Sequence, residues 1–170
     1  IKVAAATPEV RVADVEFNTD TAIEYIKTAE RHGAKLIVLP ELGLTAYTCG
    51  DLFLQTDLIR RAEQGLLSIA AETAEYDILA VVGLPVSKNG KLYNCSAFLK
   101  DGEILGFVPK TYIPNYGEFY ERRHFNTLGC NTTVFFGGKD IPIGNKLIFA
   151  ARNMPEFSVA AEICEDVWAA

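Results

Sequence analysis

Three apolar runs in this sequence end on residues able to do chemistry. "KLIVLP" is followed by Glu41, "EILGFVP" by Lys110 and "FSVAAEI" by Cys164. Singly, each is ordinary: a carboxylate or an amine after a strand is usually a solvated surface group, and a free cysteine is commonly a small buried hydrophobe. Together they supply what hydrolysis of an amide by a thiol requires. The thiolate is the nucleophile, so a base must take its proton, and Glu41 is the candidate. Negative charge then develops on the carbonyl oxygen, where the Lys110 ammonium and the backbone N–H of Glu165 would stabilise it. Loss of ammonia leaves a thioester, which water opens with Glu41 again as base.

The neighbours of Cys164 are a difficulty for this chemistry. Glu162, Glu165 and Asp166 flank it, and acidic neighbours raise a thiol's pKa. The expectation is that these carboxylates point away as scaffold and that Lys110 dominates the electrostatics at the sulfur.

Such residues meet only if their strands end on one side of a sheet, the usual place for a ligand in open α/β folds. "IKVAAA" reads as a buried strand. A helix over "FNTDTAIEYIKTAERHG" is expected, capped by Asn18 or Thr19, with Ala22, Ile23, Ile26 and Ala29 as its apolar stripe and Gly33 as its stop. "KLIVLP" is a second strand. Residues 51–76 support one long helix or two short ones, with Leu58, Ala62, Leu66 and Ile69 on a common face. "DILAVVGLPV", "LYNCSAFLK" and "EILGFVPK", separated by turn signals, predict an antiparallel meander. "TYIPNYGEFYERRHF" reads as a loop with a short helical turn, and "TVFFGG", "KLIFAA" and "FSVAAEIC" as further strands. The pattern implies a layered α/β domain with a mixed sheet, and a second sheet must cover the apolar meander.

The 170 residues suit one domain, and a 49% hydrophobic content allows a substantial core. A net charge of −6 with scattered Lys and Arg argues against nucleic acid and membrane surfaces as partners. No apolar stretch approaches the roughly 20 residues that span a bilayer, and the start lacks a signal-peptide layout, so a cytoplasmic location is expected. Cys49, Cys95, Cys130 and Cys164 are widely spaced, without a C-x-x-C pair, which suggests free thiols and no metal site. The chain begins at Ile1 and ends on "WAA", and is expected to be a fragment.

"LPELGLTAYTCGDLF", "PKTYIPNYGEFYERRHF" and "AEICEDVW" resemble the three catalytic blocks of the nitrilase superfamily, and more narrowly the glutaminase domains of glutamine-dependent NAD synthetases. "VAAATPEVRVADVEFN" and "FFGGKDIPIGNKLIF" extend the resemblance along the whole chain. It implies a nitrilase-like four-layer α-β-β-α sandwich, truncated here after the nucleophile and poorly active alone. It also implies Glu41 as base, Lys110 as oxyanion-stabilising lysine and Cys164 as nucleophile. Glu118 would be the further acidic residue that positions the lysine or the substrate amide, with Glu121 the weaker candidate, and Tyr47, Tyr116 and Phe119 would line a glutamine pocket. L-glutamine is the implied substrate, and ammonia would pass to an ATP- and Mg-dependent synthetase domain converting deamido-NAD to NAD, in a homo-oligomer. No phosphate loop of that second domain occurs here, and the glutaminase step needs no cofactor. Ala46 stands where the family commonly has glycine.

Three other readings compete: a free-standing amidase on another small amide, a Cys-His hydrolase using His32 or His124, and a catalytically silent assembly module.

Overall fold

Asp14, four residues ahead of the expected cap, opens the first helix. In the computed structural model, which describes residues 1–169, α1 runs Val15–Arg31 and Asp14 accepts from the Phe17 N–H at 3.3 Å. Asn18 and Thr19 lie inside the helix and are buried. Asn18 clasps neighbouring backbone instead, donating to the carbonyls of Arg11 at 2.8 Å and Leu44 at 3.1 Å and accepting from the Arg11 N–H at 2.8 Å. An interior amide that satisfies three backbone groups outweighs a solvent-exposed cap. The predicted stripe of Ala22, Ile23, Ile26 and Ala29 is buried. Residues 51–76 divide into a 3-10 turn, Gly50–Leu54, and α2, Thr56–Glu72, whose Leu58, Ala62, Leu66 and Ile69 face inward.

Seven strands form the main sheet: β1 Val3–Ala5, β2 Leu36–Val38, β3 Leu79–Lys88, β4 Lys91–Lys100, β5 Glu103–Pro109, β6 Thr132–Phe136 and β7 Lys139–Ile143, in the order β1-β2-β3-β4-β5-β7-β6. β1 to β3 run parallel, and β3 to β5 form the predicted antiparallel meander. β1 is an edge strand, not a buried one, with Val3 60% exposed. β7 was not expected, because Pro142 interrupts its strand-like run; it pairs with β6 across Gly137 and Gly138, both at positive φ. β8, Phe149–Ala151, and β9, Met154–Val159, make a separate two-stranded sheet. The strand expected to lead straight to Cys164 therefore stops at Val159.

α1 and α2 pack on one face of the main sheet through Ile26, Leu66 and Ile69 against Ile37, Val82 and Phe107. On the other face Leu36, Val81, Phe98 and Val108 are covered by Leu147, Phe149, Phe157 and Val159, with the Phe98 and Phe149 rings stacked 3.9 Å apart. The covering sheet thus comes from within the chain. Among the described residues the layers are α-β-β, three of the four in the expected sandwich.

An irregularity in β5 decides which way Lys110 points. Leu99 pairs with Ile104, but Phe98 pairs with Gly106, so Leu105 is skipped. Side chains alternate along a strand, and a bulge moves the alternation by one residue. Ile104 and Phe107 accordingly both face the helices, while Val108 faces the second sheet, and Lys110 follows Val108. Gly83 performs the matching service for Glu41. A Cβ there would lie 2.3 Å from the Pro40 carbonyl oxygen and 2.6 Å from the Leu42 nitrogen, so the turn that carries Glu41 crosses the sheet only where a side chain is missing. Gly83→Ala is expected to destabilise the fold by about 1–3 kcal/mol and to displace Glu41, read by denaturant unfolding and by loss of activity; wild-type stability would contradict the close approach.

Candidate active site

Lys110 is fully buried, and a buried ammonium needs counter-charges. It has two. Its Nζ donates to Glu41 Oε1 at 2.8 Å and to Glu121 Oε1 and Oε2 at 2.8 and 3.0 Å. Burial works against its charge, but hydrogen bonds and charge from Glu121 and Glu41 outweigh this and hold its pKa above the ordinary lysine range. The group is a permanent cation.

The acid that holds the lysine is thus Glu121, the candidate given less weight, and not Glu118. Glu121 opens the short 3-10 turn Glu121–Arg123. Helical spacing places it with His124 and Phe125, and all three are buried. That i, i+3, i+4 pattern was the available signal. Glu118 is exposed and, among the described residues, makes no ion pair with Lys110; it lines a cavity of about 260 Å³ with Tyr47, Phe53, Phe119 and Glu121. Tyr47 donates its hydroxyl to Glu121 Oε1 at 2.6 Å. Burial, then that bond, then the charges of Glu121, Glu41 and Cys164 push its pKa far above the ordinary tyrosine value, so Tyr47 remains a donor. Tyr116 is exposed and packs edge-on against Phe119, ring centres 5.8 Å apart. The loops bearing Tyr47 and Glu121 are tied together by Arg123, which grips both oxygens of Asp51 at 2.6 and 2.8 Å.

Cys164 begins a 3-10 turn, Cys164–Trp168, with φ of 52°. A left-handed backbone at a non-glycine residue costs on the order of 1–3 kcal/mol and is commonly held only where the surroundings enforce it. The enforcement comes from Asp166. Its Oδ1 accepts from the N–H groups of Thr111 at 3.0 Å and Tyr112 at 2.7 Å, and its Oδ2 from that of Ile163 at 3.2 Å. The residues after Lys110 and the residue before Cys164 are thereby fastened to one carboxylate. Glu165 accepts from the Tyr116 hydroxyl at 2.9 Å, and Glu162 is exposed. Asp166 and Glu165 do serve as scaffold.

The expected dominance of Lys110 at the sulfur does not hold. Cys164 as a residue is exposed, yet its sulfur lies close enough to protein for desolvation to be the largest influence on it; the charge of Glu41 also raises the thiol pKa, and so does that of Glu121. Lys110 and the N–H of Glu165 pull it down, and the net shift is upward. A cation held between two carboxylates presents little net positive charge to a neighbour. Glu41, Lys110 and Cys164 thus lie within electrostatic reach of one another, although no hydrogen bond joins the thiol to either among the described residues.

Neither histidine is hydrogen-bonded to the thiol among the described residues. His32 ends α1, with Nδ1 2.7 Å from the Thr28 carbonyl, and His124 Nε2 lies 3.0 Å from Asp51 Oδ1. Sequence reasoning missed Asn94, a buried residue of β4 that donates to Glu41 Oε1 at 2.6 Å. Among the described residues no group of His, Cys, Asp and Glu is arranged as a metal site, and no helix is long and apolar enough to cross a membrane.

Residues 2–170 match the carbon-nitrogen hydrolase family. The glutamine-dependent NAD(+) synthetase of Mycobacterium tuberculosis is 37% identical over 169 residues, which is 99% of this chain and 25% of that protein. The chain therefore spans about a quarter of the length of such relatives. A crystal structure of a glutamine-dependent NAD(+) synthetase from Cytophaga hutchinsonii superposes with a TM-score of 0.89 at 30% identity, covering 96% of this chain and 28% of that one. An amidase from a Nesterenkonia species, 22% identical with a TM-score of 0.62 over 82% of this chain and 53% of its own, shares the nitrilase-like fold.

A raised thiol pKa means that Cys164 is protonated at neutral pH and reactive only as pH rises. Its alkylation by iodoacetamide, followed by peptide mass spectrometry, is expected to accelerate about tenfold per pH unit up to a midpoint above that of an ordinary cysteine thiol. Glu41→Gln, which removes a carboxylate that disfavours the thiolate, is expected to lower that midpoint; a plateau already reached at pH 7 in the wild type would contradict the electrostatics.

Proposed function

The chain belongs to the carbon-nitrogen hydrolase family, and we propose that within it the chain hydrolyses the side-chain amide of L-glutamine and supplies the ammonia to an ATP-dependent synthetase domain of the same protein, which amidates deamido-NAD to NAD. One observation carries the hydrolytic part: a permanently charged Lys110 is shared between Glu41 and Glu121 beside a thiol that stays protonated until it is used.

The order of events follows from those charges. Glu41 takes the Cys164 proton as the sulfur attacks the amide carbonyl, so no free thiolate accumulates beside two carboxylates. The carbonyl oxygen becomes an anion and is met by the Lys110 ammonium and the Glu165 N–H. Lys110 has three protons, of which Glu41 and Glu121 engage at least two; it acts as a fixed charge and not as an acid. The proton held by Glu41 passes to the leaving nitrogen, ammonia departs, and the acyl group remains on sulfur. Water then gives a proton to Glu41 and its oxygen to the acyl carbon, and glutamate and the thiol are restored. Base, nucleophile and oxyanion donors are all supplied by the chain itself, so the hydrolytic step calls for no cofactor; ATP and Mg belong to the synthesis step. Glu121 holds Lys110, Tyr47 holds Glu121, and the cavity bounded by Tyr47 and Phe119 beside Glu118 supplies the apolar wall for a glutamine side chain.

The similarity to glutamine-dependent NAD synthetases over 99% of the chain supports glutamine over other small amides; a cytoplasmic homo-oligomer is part of the same proposal. In the whole protein, Cys164→Ala is expected to reduce glutamine-dependent NAD formation by at least about a thousandfold while ammonium-dependent formation persists. Equal loss of both activities would contradict the division of labour, and unchanged glutamine use would exclude Cys164 as nucleophile.

A further inference from the structure

Asn94 is almost fully buried and takes no part in the mechanism so far. It stands on β4 opposite Lys110: the Lys110 N–H donates to the Asn94 carbonyl at 2.8 Å, continuing the pairing of Cys95 with Pro109 by one step. Both side chains leave the same face of the sheet, and both end on the same atom. Asn94 Nδ2 lies 2.6 Å and Lys110 Nζ 2.8 Å from Glu41 Oε1, whereas Oε2 of Glu41 accepts no hydrogen bond among the described residues. The other charged or titratable groups at this carboxylate are Glu121, Cys164 and Tyr47, and Tyr47 spends its proton on Glu121.

The amide gives up something for this placement. Its own Oδ1 is buried without a partner, a cost that buried polar groups rarely bear. Turning the amide over would set Oδ1 against the carboxylate oxygen, two acceptors at 2.6 Å, so the carboxylate dictates the orientation. The orphaned oxygen is the other end of a group kept for its N–H.

We propose that Asn94 is a positioning residue for the base: together with Lys110 it occupies Oε1 of Glu41, fixes the plane of the carboxylate and leaves Oε2 as the oxygen that takes the thiol proton and later the water proton. The inference rests on the amide-hydrolysis reading above. It adds to that reading which oxygen works and what aims it.

Two variants test it in the whole protein. Asn94→Leu has nearly the same shape, cannot donate and carries no orphaned acceptor, so it is suited to folding; Asn94→Asp keeps the shape and turns a second carboxylate toward Oε1. The wild type is assayed first for glutamine hydrolysis. With the donor gone, Oε1 of Glu41 keeps only the Lys110 hydrogen bond, and in N94D a second carboxylate faces it, so the plane of the base is no longer fixed. The expected fall in kcat is about tenfold or more for a misaimed base, with KM within about twofold. A crystal structure of N94L is expected to show the Glu41 carboxylate rotated. Wild-type kcat in N94L would overturn the proposal, as would a rise in KM alone or an unmoved carboxylate. A wild type inert toward glutamine, beside a rotated Glu41 in N94L, would sink the substrate reading and leave the positioning role standing.

Discussion

A single ammonium withdrawn from water constrains most of this site. Lys110 has no exposed surface, and breaking a buried ion pair of this kind typically costs about 3–5 kcal/mol, so the chain must deliver two carboxylates to one point. Glu41 arrives from the turn after β2, crossing the sheet over Gly83, and Glu121 arrives from a helical turn pinned by the Asp51–Arg123 pair. The skipped residue Leu105 turns Lys110 toward them.

The same arrangement sets the chemistry. One cation between two carboxylates leaves the cluster with an excess of negative charge, and the neighbouring thiol is held protonated. On the proposed mechanism such a site moves a proton at the moment of attack and keeps a reactive thiolate from persisting when no substrate is present. The burden falls on placement: the base must be aimed, the nucleophile's turn must be held at its left-handed φ, and the cation must not wander. Asn94, Asp166 and Glu121 each fasten one of these three parts.

Much of this was legible in the sequence wherever one strand's end was enough to decide it. Glu41, Lys110 and Cys164 stood out because each follows an apolar run, and the alternation of helices and strands followed by a meander gave the mixed sheet and its need for a second layer. What the sequence hid depended on contacts between distant segments. The choice of Glu121 over Glu118 turns on which way a short helical turn faces, and the role of Asn94 on a cross-strand neighbour 16 positions away by number. Asp14 displaced Asn18 as cap because Asn18 had three backbone partners inside. The strand containing Pro142 was masked by its proline; β7 lies between β5 and β6 but pairs with β5 only at Ile143, one residue past Pro142. Ala46, at φ 65°, occupies a left-handed backbone conformation that glycine adopts more readily, which fits the glycine that the resemblance leads one to expect there.

The central claim is that the Lys110–Glu121 pair is an energetic unit and not a coincidence of placement. A double-mutant cycle with Lys110→Met, Glu121→Gln and the combined variant, followed by denaturant unfolding, measures it directly. The account predicts that the two substitutions are strongly non-additive, with a coupling of at least about 1 kcal/mol. Simple additivity of the two losses would contradict it.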